Sequence, residues 1–275
     1  DYQDGIIASK RDLEDFVRIW MQISPALDNV TAELSWRNTT GSPSVKIYKA
    51  FELDGGDRYL TNQAYAEGQI SGSNATALGT VSSGGSFTFE QDTFSDGNAK
   101  HFLFEGAGRG KGELVLQVKK DGQVIAESSI HLELKSIKEM YERWTVGDGN
   151  GAMPDSLARL STDRLPSGVG VFSYNDQSPE ELTYILYVHG WNVFPWEKDA
   201  AAETAYKRLW HQGYKGRLGT FEWPTTFGFA ENTPDQYYDA LFDNRNYDNG
   251  EMVAWPSGAP LQNLLVVLNQ RYAGQ

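Results

Sequence analysis

The chain contains no cysteine. That absence removes disulfide frameworks, thiolate nucleophiles and cysteine-held zinc from consideration. Cationic side chains are scarce too: 24 Lys and Arg stand against 37 Asp and Glu, a formal charge of −13 over 275 residues. Such an acidic chain repels phosphate backbones, which argues against nucleic acid as a partner. Histidine occurs four times, and no two histidines have metal-ligand spacing. Long apolar runs are missing: Ala259 to Leu268 is interrupted by Gln262 and Asn263, so no segment reads as a transmembrane helix. No signal peptide is visible, and Asp1-Tyr-Gln-Asp-Gly-Ile-Ile7 reads as the interior of a longer chain. Gly-x-Ser-x-Gly does not occur after residue 190, and internal repeats and low-complexity tracts are absent.

What remains is a well-packed globular composition, 40% hydrophobic and 13% aromatic. Two textures divide it. From about residue 10 to 137, short alternating segments are separated by Gly, Asn, Asp and Ser: Val30 to Trp36, Val45 to Phe51, Glu113 to Lys119 and Val124 to Leu134. Lys120-Asp-Gly-Gln123 joins the last two as a two-residue hairpin signal. Strands at this spacing predict an antiparallel β-sandwich. A helix is expected before it, because Leu13, Phe16, Val17 and Trp20 fall on one face.

From Tyr184 the pattern becomes strand, helix, strand, helix. Tyr184-Ile-Leu-Tyr-Val188 reads as a buried strand that stops at His189-Gly190. Trp196 to Gln212 reads as a helix packing through Ala200, Ala201, Thr204, Ala205 and Leu209, with Gly213 closing it. Arg217 to Trp223 is the next strand and Glu251 to Tyr272 the next helix, an alternation that predicts a parallel sheet with crossover helices.

Read in order, Tyr187-Val-His-Gly-Trp-Asn192, Ala201 to Leu209, Gly213 to Gly219, Phe221-Glu-Trp-Pro-Thr225, Asn246-Tyr-Asp248, Glu251 and Ala254-Trp-Pro-Ser-Gly-Ala259 resemble the amino-terminal half of an uncharacterised bacterial α/β-hydrolase family of lipase-like proteins. The resemblance covers about residues 180–275. It implies an ester or lipid substrate for a longer parent protein, with a Ser nucleophile on an elbow that would follow the last helix. It also implies an oxyanion loop at His189, Gly190, Trp191 and Asn192, with the Trp191 backbone N–H as donor, Gly190 allowing close approach and the His189 ring ordering the loop. Phe194, Trp223 and Pro224 would belong to the pocket wall.

No member of the triad is expected in this chain. Ser257 lacks the preceding Gly and lies in a helical pattern, and Ser71 and Ser73 lie in a surface turn. Asp235, Asp239, Asp243 and Asp248 read as a solvated acidic loop, with Asp239 and Asp243 the weak candidates for a cation. Neither a cofactor nor a metal is expected.

The resulting expectation is a multidomain α+β chain. Residues 1–144 would form a β-sandwich accessory domain with an N-terminal helix, 145–180 a linker, and 181–275 the N-terminal part of an α/β-hydrolase domain. The chain reads as an inactive fragment of a larger serine ester hydrolase, of the cell envelope or secreted, and a further alternative is that the remaining part is supplied as a separate chain. The rival reading is a non-catalytic cell-surface or interaction protein on a degenerate scaffold.

Overall fold

The computed structural model describes residues 2–3, 6–7, 16–23, 27, 29–50, 62, 68, 76–147, 153–165, 167–172, 182–191, 193, 195–225 and 244–272. They form two compact units: Arg11–Ser136, and Asp1–Lys10 together with Ile137–Gln275.

The described residues of the first unit form one antiparallel sheet of six strands, β3 (Val17–Met21), β4 (Val30–Lys49), β5 (Gly79–Ser82), β6 (Ser86–Thr88), β7 (Lys100–Lys120) and β8 (Gln123–Leu134). Its spine is β4 against β7, paired from Val30↔Lys120 to Lys49↔Phe102. The register shifts between Arg37 and Thr40 and again between Gly41 and Ser44, and such bulges bend a strand. Glycine is required at this bend. Gly110 holds φ +148°, and a Cβ there would lie 2.6 Å from the Thr40 carbonyl oxygen and from Pro43 Cδ.

On one side of the bend β4 pairs with β6, and β7 with β8. On the other, β4 pairs with β5 and β7 with β3. Leu34 and Trp36 before the bend share a core with Val45, Ile47 and Val81 beyond it. The Trp36 indole N–H donates to the Val81 carbonyl at 2.9 Å, and Phe89 packs edge-on against Phe87 and Phe94. One sheet, bent across its middle, therefore encloses the core that two sheets were expected to enclose. The hairpin turn is as expected: Asp121 and Gly122 both take positive φ, 50° and 76°, as a two-residue turn of this twist demands.

Two expectations fail here. Residues 17–21 are strand β3, registered from Val17↔Phe104 to Met21↔Lys100, and not helix. Pairing to a long neighbour outweighs a helical spacing in a segment rich in residues that suit strands, Val17, Ile19 and Trp20. The unit boundary falls after Ser136, and residues beyond it belong to the second sheet.

That sheet has the order β10 (Arg159–Leu160), β9 (Glu142–Thr145), β12 (Arg217–Glu222), β11 (Tyr184–Val188). β9, β12 and β11 are parallel, and β10 runs antiparallel to β9. Helix α1 (Pro195–His211) connects β11 to β12 on one face, where Tyr141, Ala202, Tyr206 and Leu218 pack together. Helix α2 (Asn244–Arg271) covers the other face through Leu264 and Leu268 against Trp144, Val146 and Phe221. A short hairpin, β1 (Tyr2–Gln3) with β2 (Ile6–Ile7), completes the unit, β2 lying near α1.

The α/β-hydrolase expectation is overturned. Among the described residues strand makes up 44% and helix 22%, with two helices described in full. Among the described residues the sheets are antiparallel or mixed: α1 is a crossover between parallel β11 and β12, but the four-stranded sheet they join is completed by β9 and antiparallel β10, which is not the parallel sheet of an α/β-hydrolase. The presumed linker contributes structure of its own, since Arg159–Leu160 pairs with Trp144 and Thr145. A strand–helix–strand pattern does not specify which distant strands join the sheet, and here β9 and β10 do. α1 also turns a different stripe inward: Lys198, Ala202 and Tyr206 are buried, while Ala201 is exposed.

Candidate functional site

β9, β11 and β12 end side by side, and the residues just past their carboxyl ends are tied together. His189 follows β11 and is buried. Its Nδ1–H donates to the Gly190 carbonyl at 2.8 Å, and its Nε2 accepts the Trp223 backbone N–H at 3.1 Å. The Trp223 indole N–H returns a bond to the His189 carbonyl at 3.0 Å, and the two rings stack 5.5 Å apart. Both ring nitrogens are thus engaged, and the tautomer follows from the partners. Burial, with Lys198 nearby, pulls the imidazole down to about 3. A neutral ring with no open acceptor cannot serve as a base at neutral pH. It fastens the end of β11 to the end of β12, and Thr225 adds a bond from its hydroxyl to the Val193 carbonyl at 2.7 Å.

Gly190 is exposed, and a Cβ on it would meet nothing within 4 Å. The Trp191 indole instead lies over Gly250 of α2, where a Cβ would come within 2.4 Å of it. Trp223 joins the α2-side core, and Pro224 is buried, 3.5 Å from the position of a Cβ on Gly147. Asn192, Phe194, Asp239 and Asp243 lie outside the described residues. Ser257 is buried within α2 and donates to the Val253 carbonyl at 2.7 Å, which commits its hydroxyl to the helix.

Behind α1 lies a group of ions that reading by hydrophobic pattern did not find. Arg164 contacts Asp199 at 2.7 Å and Glu203 at 3.3 Å, and donates to the Tyr141 hydroxyl at 2.6 Å. Arg143 lies 3.8 Å from Glu222 and 4.0 Å from Asp199, and bonds Ser161 and Asp163. Lys198 donates to the Trp223 carbonyl at 2.7 Å. Burial raises the Glu222 carboxyl to about 7, with Asp199 adding to the effect and Arg143 opposing it. Burial likewise lowers Lys198 to about 8, against the pull of Glu222. Desolvation outweighs mutual attraction at both groups, as it does for ions drawn out of water without ideal pairing.

A second carboxylate, Glu142, organises the α2 face. It accepts from the Tyr272 hydroxyl at 2.7 Å, the Tyr184 hydroxyl at 2.9 Å and the Trp144 indole at 3.2 Å, and pairs with Arg271 at 3.3 Å. Both groups of ions close on themselves and hold helices to the sheet. Among the described residues no three His, Asp or Glu side chains could hold a metal ion.

A signal for the ions was present in the sequence. Lys198, Ala202 and Tyr206 recur at four-residue spacing, and Glu222 ends an otherwise buried strand. Charges on a buried stripe imply partners elsewhere in the chain.

No known protein family and no curated protein matches the chain. A solved structure of a “putative beta-galactosidase from bacteroides fragilis” superposes with a TM-score of 0.14 at 11% identity. It covers 85% of this chain, which spans about a quarter (27%) of that protein's length. So low a score carries no argument about fold or activity.

Proposed function

We propose that the chain is a non-catalytic interaction protein of the cell envelope or extracellular space. The observation that supports it is β8. This strand is twelve residues long, lies at the edge of its sheet and, among the described strands, pairs with β7 alone. Ten of its residues are exposed or nearly so on both faces, with Val124 at 47%, Ile125 at 48% and Ile130 at 40%. Sheet edges are normally blunted by short length, proline or lysine. β8 has none of these, its only protections being the charges of Glu127 and Glu133 and a bulge at Ile125, whereas β5 and β6 are four and three residues long. An edge of this length suits recognition by strand addition, in which main-chain hydrogen bonds supply affinity. Among the described residues no helix is long and apolar enough to cross a membrane, and the acidic composition is the feature taken to favour a location outside the cytoplasm.

The test of the non-catalytic reading is a panel of chromogenic esters and glycosides. Wild-type turnover should stay at the uncatalysed rate. Turnover abolished by Glu222→Gln or Lys198→Met would overturn it.

A second reading rests on α2, whose outward side carries Met252, Trp255 and Val266, with Trp255 80% exposed. An apolar stripe opposite an already packed face marks an interaction site. A companion chain seated there should co-purify from the source and be lost on Trp255→Ser.

A further inference from the structure

We infer that the partner of β8 is a second copy of this chain, paired antiparallel about a two-fold axis at Ser129. This rests on the reading of β8 as an interaction edge and names its occupant. A two-fold axis perpendicular to a sheet places each residue opposite one on the same face, so the register is set by the residue on the axis.

Placing Ser129 on the axis sets Ser128 opposite Ile130, Glu127 opposite His131 and Ala126 opposite Leu132, the stretch of β8 that follows the bulge at Ile125. Each copy then contributes one carboxylate facing the other copy's imidazole, so the favourable pair occurs twice. Neighbouring registers lose this. With Ser128 on the axis Glu127 faces Ser129, and with Ile130 there Glu127 faces Glu133, a like-charge pair that destabilises a sheet. Within the chain Glu127 is held by Arg37 at 2.9 Å and by Gln117 at 3.4 Å, and His131 stands opposite Glu113 on β7. Charges of both signs therefore already alternate on this face, and a second copy extends the alternation.

The other face is equally self-compatible. Ala126, Ser128, Ile130 and Leu132 oppose Val118, Leu116, Leu114 and Gly112 of β7. Ile130 is left 40% exposed at the edge, and a symmetric copy would cover it with small and apolar side chains. An antiparallel ladder over Ala126–Leu132 forms about six to eight main-chain hydrogen bonds between copies, within the range of about five to fifteen that a protein interface carries.

The absence of cysteine makes the test direct. In the Ser129→Cys variant each thiol would face its own copy, with Cα atoms about 4.5–5.5 Å apart across the ladder, inside the range a disulfide spans. In Ser128→Cys the two thiols lie diagonally, beyond that range. Mild oxidation should therefore give a reducible dimer band for Ser129→Cys and not for Ser128→Cys. Sedimentation of the wild type should show a concentration-dependent dimer, and His131→Glu should weaken it tenfold or more while leaving the circular dichroism unchanged. Cross-linking through Ser128→Cys, or a wild type that stays monomeric at high micromolar concentration with Ser129→Cys uncross-linked, overturns the proposal. A monomer without enzymatic turnover would leave β8 an edge for another protein, whereas turnover would remove the interaction reading itself.

Discussion

Behind the sheet of the Arg11–Ser136 unit the packed residues are apolar: Leu34, Val45, Ile47, Val81, Phe89, Phe102 and Leu114. Its ion pairs, such as Arg37 with Glu113 and Glu127, lie at the surface. The second unit also encloses apolar clusters, but next to them it buries Glu142, Lys198, Arg217 and Glu222. The first unit is therefore held by contacts that do not titrate. The second depends on charges whose worth changes with pH and with the loss of any one partner.

The sharpest way to break this contrast is Arg164→Ala. It strips Asp199, Glu203 and Tyr141 of their common cation and should destabilise the second unit by about 3–5 kcal/mol. Urea unfolding followed by tryptophan fluorescence would show an early transition, and an unchanged curve would deny the network any structural weight. Next comes Ile47→Ala in the first unit, a fully buried side chain whose truncation should cost about 2–4 kcal/mol. That loss should be the same at pH 5 and pH 8 by circular dichroism melts, since the cluster it packs in is apolar.

Glu222→Gln sharpens the contrast through pH. The folded-state carboxyl sits at about 7 against an ordinary value of 4.5, so folding disfavours its ionised form. Its contribution is fully favourable below about 4.5, falls as pH rises towards 7 and is flat above. Relative to Glu222→Gln, wild-type stability should then decline by up to about 1.4 kcal/mol per pH unit across that window. Parallel profiles for the two proteins would refute the assignment. The smallest effect is expected for Arg37→Ala, an exposed pair whose loss should leave the unfolding midpoint within experimental scatter.

Local chemistry was legible in the sequence. Asp121-Gly122 specified its turn, Tyr184–Val188 its strand, and α1 starts and stops within a residue of its predicted ends. What was illegible depends on distant partners. Glu142-Arg-Trp-Thr145 falls where the expected sandwich domain gives way to the expected linker, yet it is an inner strand of the second sheet. Glu142 pairs with Arg271 and accepts from the Tyr272 hydroxyl near the end of α2, and Arg143 pairs with Asp199 in α1. The His189-Gly190 turn was located correctly as a strand end, but the bonds from Trp223 that occupy its ring come from 34 residues away. A resemblance built on such local segments carried the wrong architecture because it said nothing of β9 and β10.

The bond from Tyr272 to Glu142 spans 130 residues, and it orders events during synthesis. The bent sheet can close once Ser136 has left the ribosome, for all its strands are then present. The second sheet must wait for α2, a delay on the order of ten seconds at ordinary elongation rates. Throughout that interval β9, with its aromatic and charged side chains, is exposed without the helix that covers it. The nascent chain is thus half folded and half vulnerable, and chaperone capture should concentrate on residues 137–225.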